Sequence, residues 1–354
     1  MEFVVEKALQ SMPEMDLDHI NQANIKVIGV GGAGNNMVGW LYKKGIKGAE
    51  IIATNTDHQH LSITGADRKF LIGKDCTRGL GCGGFPNKGA EAAQESMMQI
   101  KEAMKGSDMV FVCAGMGGGT GTGAAPVVAQ VARDTGAIII GTVTMPFSIE
   151  RARCDKAEFG LQQLRQVSDT VIVIDNNRLV TIAGNLPIQQ AFAVANELVA
   201  TMIKGIVETI AVPSLVNLDY ADVKAIMSNG GVAAIGVGSS DTNNRVDEAV
   251  KGALSNPLLD ISYDGATGAL IHITGGPDMT LDEVNRIGEL VTESLHEDAN
   301  VIWGARVADE MKGKLTVMTI ITGVNSPWIL GKLDNRRTQE RAKSLSRELG
   351  IELV

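Results

Sequence analysis

Met109-Val110-Phe111-Val112-Cys113-Ala114 runs straight into Gly115-Met116-Gly117-Gly118-Gly119-Thr120-Gly121-Thr122-Gly123, and the reading of this stretch decides the fold. The first six residues are apolar and rich in β-formers, the mark of a strand buried on both faces. Apart from Met116, the nine that follow carry either no Cβ or a small hydroxyl side chain, so their backbone N–H groups are unobstructed. A helical pattern begins near Ala124, which puts the run at a strand-to-helix junction. There the free N–H groups and the positive end of the helix dipole stabilise an anion, and Thr120 and Thr122 add hydroxyl donors. If the glycines served packing alone, their large entropic cost would have no return.

A second loop of the same kind lies upstream. The strand Ile25 to Val30 leads into Gly29-Val30-Gly31-Gly32-Ala33-Gly34-Asn35-Asn36, a GxGxxG pattern, and Asp57 past the next strand imitates the ribose-binding acid of a dinucleotide fold. Taken alone, this loop points to a nicotinamide-dependent dehydrogenase, with glycines that only let a helix pack on a strand as the alternative. One pyrophosphate does not need two glycine loops, however. A third, Gly79-Leu80-Gly81-Cys82-Gly83-Gly84-Phe85-Pro86, also precedes a helix, and no GxxxxGK[ST] occurs anywhere. Three such loops after parallel strands imply a nucleoside triphosphate held by backbone donors.

Around these loops the chain alternates short β-branched runs with amphipathic stretches. Strands are predicted at Ile25 to Val30, Glu50 to Thr54, Lys69 to Ile72, Met109 to Ala114, Ala137 to Val143 and Thr170 to Ile174, with helices at Asn87 to Lys105 and Ala124 to Asp134. That alternation means βαβ units and a parallel, Rossmann-like sheet in an α/β domain. Pro187 to Ile210 reads as one long helix stopped by Val212-Pro213, a spine between two units. Beyond it, helices near Ala221 to Met227 and Arg245 to Leu254, separated by a glycine-rich turn, and strands Ala269 to Thr274, Val301 to Val307 and Leu315 to Thr322 form a smaller α+β domain.

Composition narrows the function. A chain of 354 residues, 44% apolar, buries a sizeable core and fits two packed units. Its formal net charge of −9 disfavours nucleic acid, which is bound through lysine and arginine. The acid-bearing N-terminus does not resemble a signal peptide, and no apolar run approaches the roughly 20 residues that cross a bilayer, so a cytoplasmic protein with no inserted helix is expected. Cys76, Cys82, Cys113 and Cys154 form no CxxC pair and have no histidines at ligand spacing, so no metal–cysteine site and no disulfide are expected.

Hydrolysis of a triphosphate needs a polar group to orient the attacking water. Asn217-Leu218-Asp219-Tyr220-Ala221-Asp222 opens the second domain with two acids three residues apart. Helix capping accounts for Asp219 readily and for Asp222 less well, so both capping and catalysis remain readings of this loop.

GMGGGTGTGAAP at residues 115–126 resembles the tubulin signature in the form carried by the FtsZ family. The resemblance continues through GVGGAGNN (29–36), ATNTD (53–57), TMPF (144–147) and NLDYADVK (217–224), over roughly residues 24–330. It implies an extension at 1–23, a GTP-binding domain at 24–186 and a central helix at 187–211. It further implies a C-terminal domain at 212–330 that carries the catalytic loop, and a tail helix at 331–354. Phosphates are then expected against Gly31, Gly32, Ala33 and Gly34 and against Gly117, Gly118, Gly119, Thr120, Gly121 and Thr122. Cys82 and Gly83 fall near the γ-phosphate, and Glu150, with Arg153 beside it, falls on the ribose. Guanine is expected on Phe192, with Asn35, Asn36, Asn176 and Asn196 or Glu197 at its edge. From the residues alone, Phe192 equally reads as core packing and Glu150 with Arg153 as a solvated pair.

Cys154 stands where the family commonly has an arginine, and Glu197 where it usually has aspartate. The resemblance also implies Mg²⁺ on the phosphates and head-to-tail homopolymers in which Asn217, Asp219 and Asp222 complete a neighbour's site. A division ring with a membrane-tethering adaptor is the expected setting, or a cell-shape cytoskeleton. The family's usual long linker and apolar C-terminal adaptor peptide are not found in this sequence.

Overall fold

The structure, a computed structural model, describes residues 23–212, 214–216, 218–228, 230–255, 262–263, 266–293 and 295–324. The N-terminal extension through residue 22, Asn217 and the segment from residue 325 onward, with its expected tail helix, lie outside the described residues.

Alternation of strand and helix holds through the first half. Strand β1 (Ile25–Val30) feeds α1 (Gly31–Lys44), then β2 (Ala49–Asn55), α2 (His58–Ile63), β3 (Arg68–Leu71), α3 (Lys74–Thr77), α4 (Pro86–Glu95) and α5 (Met97–Met104). Next come β4 (Met109–Gly115), α6 (Thr120–Arg133), β5 (Ile138–Met145), a 3₁₀ turn at Ser148–Glu150, α7 (Ala152–Val167), β6 (Thr170–Asp175) and α8 (Asn176–Ala183). A 24-residue spine, α9 (Ile188–Ala211), follows, about 36 Å long. The second half holds α10 (Tyr220–Met227), β7 (Gly231–Ser240), α11 (Arg245–Leu254), β8 (Gly268–Gly275), α12 (Leu281–Thr292), β9 (Asn300–Val307) and β10 (Leu315–Thr322).

Among the described residues the strands form one mixed sheet in the order β3-β2-β1-β4-β5-β6-β7-β10-β8-β9. From β3 to β6 every pairing is parallel, and β1, β4 and β6 are buried along almost their whole length, as strands covered by helices on both faces must be. The two halves join narrowly, through Thr170 beside Gly231 and Val171 beside Val232. Beyond the join β10 runs antiparallel to β7 and β8. All the parallel strands of the first half therefore end, by their C-termini, on one edge, where such sheets bind ligands.

Three local expectations change. The helix predicted over 87–105 is two helices that break at Ser96, whose buried hydroxyl accepts a hydrogen bond from Gly73 N at 3.0 Å. Helix α6 starts at Thr120 rather than Ala124, so the last part of the glycine run is already its first turn. The supposed glycine-rich turn is strand β7. A Cβ on Gly236 would lie 1.5 Å from Ala253 O and one on Gly238 1.9 Å from Ala249 O, so the glycines that hid the strand pattern are what lets α11 lie on it.

The expectation of no bilayer-length apolar helix is also corrected. By length and composition α9 would suffice, but Val199, Ile203, Ile206 and Val207 are buried against the rest of the protein.

Candidate functional site

The C-terminal ends of β1, β4 and β5 open onto a cavity of about 540 Å³, within the usual range for a small-molecule site. Gly32 and Ala33 line it from the β1–α1 junction and Gly118, Gly119, Thr120 and Gly121 from the β4–α6 junction. Each helix starts here with no side-chain cap, which leaves its first N–H groups without an intrahelical partner. Two 14-residue helices thus direct their positive ends at one space.

The glycines divide by what surrounds them. A Cβ on Gly34 would lie 2.1 Å from Cys113 O, and one on Gly31 2.9 Å from Gly121 N, so Gly34 lets α1 pack closely on β4 and Gly31 lets the starts of α1 and α6 approach one another. Gly32 and Gly118 have nothing within 4 Å of a Cβ, so at these positions a side chain would project into free space at the cavity. The third loop leans on the second: a Cβ on Gly119 would sit 2.6 Å from Cys82 Cβ.

Hydroxyls knit the loops together. Thr120 Oγ1 lies 2.7 Å from Thr56 Oγ1, and the buried Cys82 Sγ is 3.4 Å from Thr56 Oγ1 and 3.5 Å from Thr120 Oγ1. Thr56 was not singled out in the sequence; it lies within ATNTD, and nothing in its residue type marks it. Thr122 is buried, and its Oγ1 accepts from Gly117 N at 2.9 Å, which steadies Gly117 at φ +93°.

Across the cavity from the loops stand Phe192, Asn176, Glu150 and Arg153. Phe192 is 40% exposed and meets Phe147 edge-on, centroids 6.1 Å apart, so it is not an ordinary core residue. Glu150 Oε1 accepts from Phe147 N at 3.0 Å and Oε2 from Arg153 Nη1 at 2.7 Å. Arg151, at φ +36°, breaks the chain direction ahead of α7, and Arg153 rather than Arg151 lines the cavity. Cys154 donates to Phe147 O at 3.6 Å; burial first, then the charge of Glu150, pushes its thiol above the ordinary range.

Gly31, Gly34, Cys82, Gly83, Gly117 and Thr122 lie outside the cavity lining, and so do the four candidates Asn35, Asn36, Asn196 and Glu197 expected at the guanine edge. Asn35 is 1% exposed, and with its amide oriented to donate, its nitrogen is 3.0 Å from Gly29 O and 3.3 Å from Thr54 O. Asn36 is exposed on α1 and Asn196 half-buried on α9. Glu197 accepts from Trp40 Nε1 at 2.6 Å and from Lys44 Nζ, and Lys44, then Trp40, holds its carboxyl below the usual range.

Asp219 and Asp222 cap α10 reciprocally. Asp222 N donates to Asp219 Oδ1 at 2.8 Å and Asp219 N to Asp222 Oδ2 at 3.2 Å. Tyr220 between them donates to Asp108 O, just before β4 begins, whereas the cavity lies where β4 ends. A strand of this length spans roughly 20 Å. The acids and the cavity are therefore not brought together within one chain. Among the described residues no three His, Cys, Asp or Glu side chains converge as metal ligands.

The family model described as "Tubulin/FtsZ family, GTPase domain" matches residues 24–184, and "FtsZ family, C-terminal domain" matches residues 231–325. The chain is 59% identical over 318 residues to "Cell division protein FtsZ 2" of Methanocaldococcus jannaschii, covering 89% of this chain and 84% of that protein. To the protein of the same name from Haloferax volcanii it is 50% identical over 344 residues, 97% of this chain and 86% of that one. The solved "FtsZ dimer, empty" of M. jannaschii superposes with a TM-score of 0.79 at 47% identity, covering 91% of this chain and 92% of that one. The GDP-bound CetZ1 monomer of Haloferax volcanii has a TM-score of 0.77, covering 91% of this chain and 99% of that one; at 24% identity it shows the shared fold alone.

Proposed function

The chain belongs to the tubulin/FtsZ family, and from that premise we propose that it binds GTP in this cavity, hydrolyses it between stacked subunits and serves cell division. The observation that carries the reading is the separation of parts: a phosphate cradle at one edge of the sheet, and a pair of acids at the other.

In this reading the N–H groups of Gly32, Ala33 and Gly118 to Gly121 take the phosphate oxygens, and the uncapped starts of α1 and α6 supply the positive field. Glu150, with Arg153 paired to it, faces the ribose, and guanine stacks on Phe192 with Asn176 at its edge. Asp219 and Asp222, with Asn217, enter the cavity of the next subunit and orient the attacking water, positioning being most of what phosphoryl transfer requires. A contact of cavity on acid loop is heterologous, so it repeats without closing and gives a filament. When bound, Mg²⁺ would be held mainly by phosphate oxygens and waters and would supply neutralisation of the triphosphate charge.

The curated relatives at 50% and 59% identity are named cell division proteins, which favours a division ring over a cell-shape cytoskeleton. Recruitment to the division site through a membrane-tethering adaptor completes the proposal. The glycine run at residues 115–123 has no part in the dehydrogenase reading, which the family membership supersedes.

The test is light scattering of the purified protein with Mg²⁺ while GTP, and separately ATP, is added. A rise with GTP only, decaying as GTP is consumed, supports a filament-forming GTPase. No rise with either nucleotide overturns the assembly part of the proposal.

A further inference from the structure

The third glycine loop, Gly79 to Pro86, is held unevenly. Its first half is tied to the segment after β2: His58 N donates to Gly79 O and Gly81 N to Thr56 O, each at 3.0 Å. Its second half is closed only on itself and on the helix it opens, Phe85 N donating to Cys82 O at 3.1 Å and Gly89 N to Phe85 O at 3.4 Å. Gly83 and Gly84 both adopt positive φ, +58° and +79°, inside that turn, a conformation that glycine reaches without strain but at an entropic cost that a contact from outside the loop offsets. Among the described residues one side chain hydrogen-bonds Gly83, Gly84 or Phe85, and that is Lys156, whose Nζ donates to Gly84 O at 2.9 Å.

Lys156 lies on α7, one turn beyond Arg153, and also reaches over the Phe85 ring, 5.7 Å from its centroid. Lys88 approaches the same ring at 5.9 Å. The Phe85 residue is 60% exposed, so packing does little to hold its side chain, and attraction between the ring and two ammonium groups adds to the hydrogen bonds of its backbone. Its backbone matters to the cavity: a Cβ on Gly119 would be 3.0 Å from Phe85 N and 3.2 Å from Phe85 O, so the phosphate loop rests on this residue.

We propose that Lys156 is a positioning residue for the triphosphate: by latching Gly84 and Phe85 to α7, it holds the Gly83–Gly84 turn against the Gly119 end of the cavity. The inference rests on the GTP reading and deepens it. The first two loops suffice for a diphosphate, as they are continuous with α1 and α6. The third is the additional element, reached through the Cys82–Thr120 contact, so its order bears on the terminal phosphate. The latch therefore favours triphosphate over diphosphate and leaves the rest of the nucleotide's contacts alone.

Lys156→Met keeps the length of the stem and removes the charge and the donor; Lys156→Arg restores both. Affinities for GDP and for the slowly hydrolysed analogue guanosine 5′-O-thiotriphosphate are measured by fluorescence competition, below the concentration at which assembly begins. Lys156→Met is expected to weaken the triphosphate analogue roughly three- to tenfold, leave GDP within about twofold, and keep the melting temperature near that of the unaltered protein. Lys156→Arg recovers most of the loss. Equal weakening of both nucleotides, or no change in either, overturns the latch. If the unaltered protein binds neither nucleotide, the GTP reading itself fails before any variant is compared.

Discussion

Tyr220 Oη donates to Asp108 O at 2.7 Å, and this one bond pins the start of α10 beneath the N-terminal end of β4. Asp219 and Asp222 flank the pinned residue. Phe192, at the cavity, and Ala211, beside Gly48 ahead of the N-terminal end of β2, lie on the same helix about 28 Å apart along its axis. A chain cannot fold its own acids across that distance without dismantling the spine.

Complementation between two inactive subunits follows from this. Asp222→Ala should bind GTP and fail to release phosphate, and Gly118→Val should keep the acids and fail to bind GTP. Mixed, the two should recover part of the phosphate release, because a Gly118→Val subunit can offer Asp222 to a neighbour that holds GTP. Two folded variants that stay inactive when mixed, with Asp222→Ala still binding GTP, would rule out the acid acting across subunits. Loss of the cap at Asp222 costs about 1 kcal/mol of stability, so a melting curve belongs beside the assay.

Cavity glycines and packing glycines should respond oppositely to enlargement. Gly118 has open space where a Cβ would go, so Gly118→Val is expected to change stability by less than about 1 kcal/mol and weaken GTP at least tenfold. At Gly34 the new carbon would meet Cys113 O at 2.1 Å, so Gly34→Ala is expected to destabilise by about 1–3 kcal/mol. Isothermal titration with denaturant melts on both proteins checks the contrast. A destabilised Gly118→Val with intact binding would contradict it.

Residue chemistry made much of this arrangement readable in the sequence, and what it missed has physical reasons. The parallel strands were legible because strands buried on both faces are continuous apolar runs; Met109 to Ala114 shows this. Strand β7 was not, because Gly236 and Gly238 serve contact with α11 and erase the alternation a strand usually displays. At the site, the glycine run marked a cavity-lining loop through composition alone. Thr56 stayed hidden because a threonine's partner, here Thr120, is set by tertiary structure. Glu197 shows the converse. Its residue type suits guanine, but its position on α9 faces Lys44 and Trp40 on α1.

Glu197 gives a test of base recognition. Its carboxylate is tied to α1 and is not among the cavity residues, so Glu197→Gln should leave the preference for GTP over ATP unchanged. Because the side chain is 48% exposed, solvent screens the pair, and the stability lost should be under about 1 kcal/mol. Its carboxyl is held below the usual range, so the stabilisation is present above the unfolded pKa and disappears as pH falls through the folded one. Competition binding with both nucleotides decides the matter: a fall in guanine preference would mean that Glu197 leaves Lys44 to reach the base.

His272 on β8 is the group from which the clearest pH dependence is expected. The residue is 8% exposed, its Nε2 is buried with no hydrogen-bond partner, and it borders a cleft between the second-domain sheet and α9. Lys44, Lys204, Glu208 and Arg306 face the same cleft. Burial first, then the charge of Arg306, lowers the imidazole from its ordinary 6.5 to about 4. Between those values the unfolded chain takes up a proton that the folded one refuses, so stability is full above pH 6.5 and falls progressively to about pH 4. The loss from this group alone is bounded at roughly 3 kcal/mol. His272→Gln should have a shallower decline across that window while carboxylates contribute equally to both proteins. Urea denaturation at pH 7, 6, 5 and about 4.5 measures the difference; parallel curves for the two proteins would mean that the folded imidazole takes up its proton over the same pH range as the unfolded one.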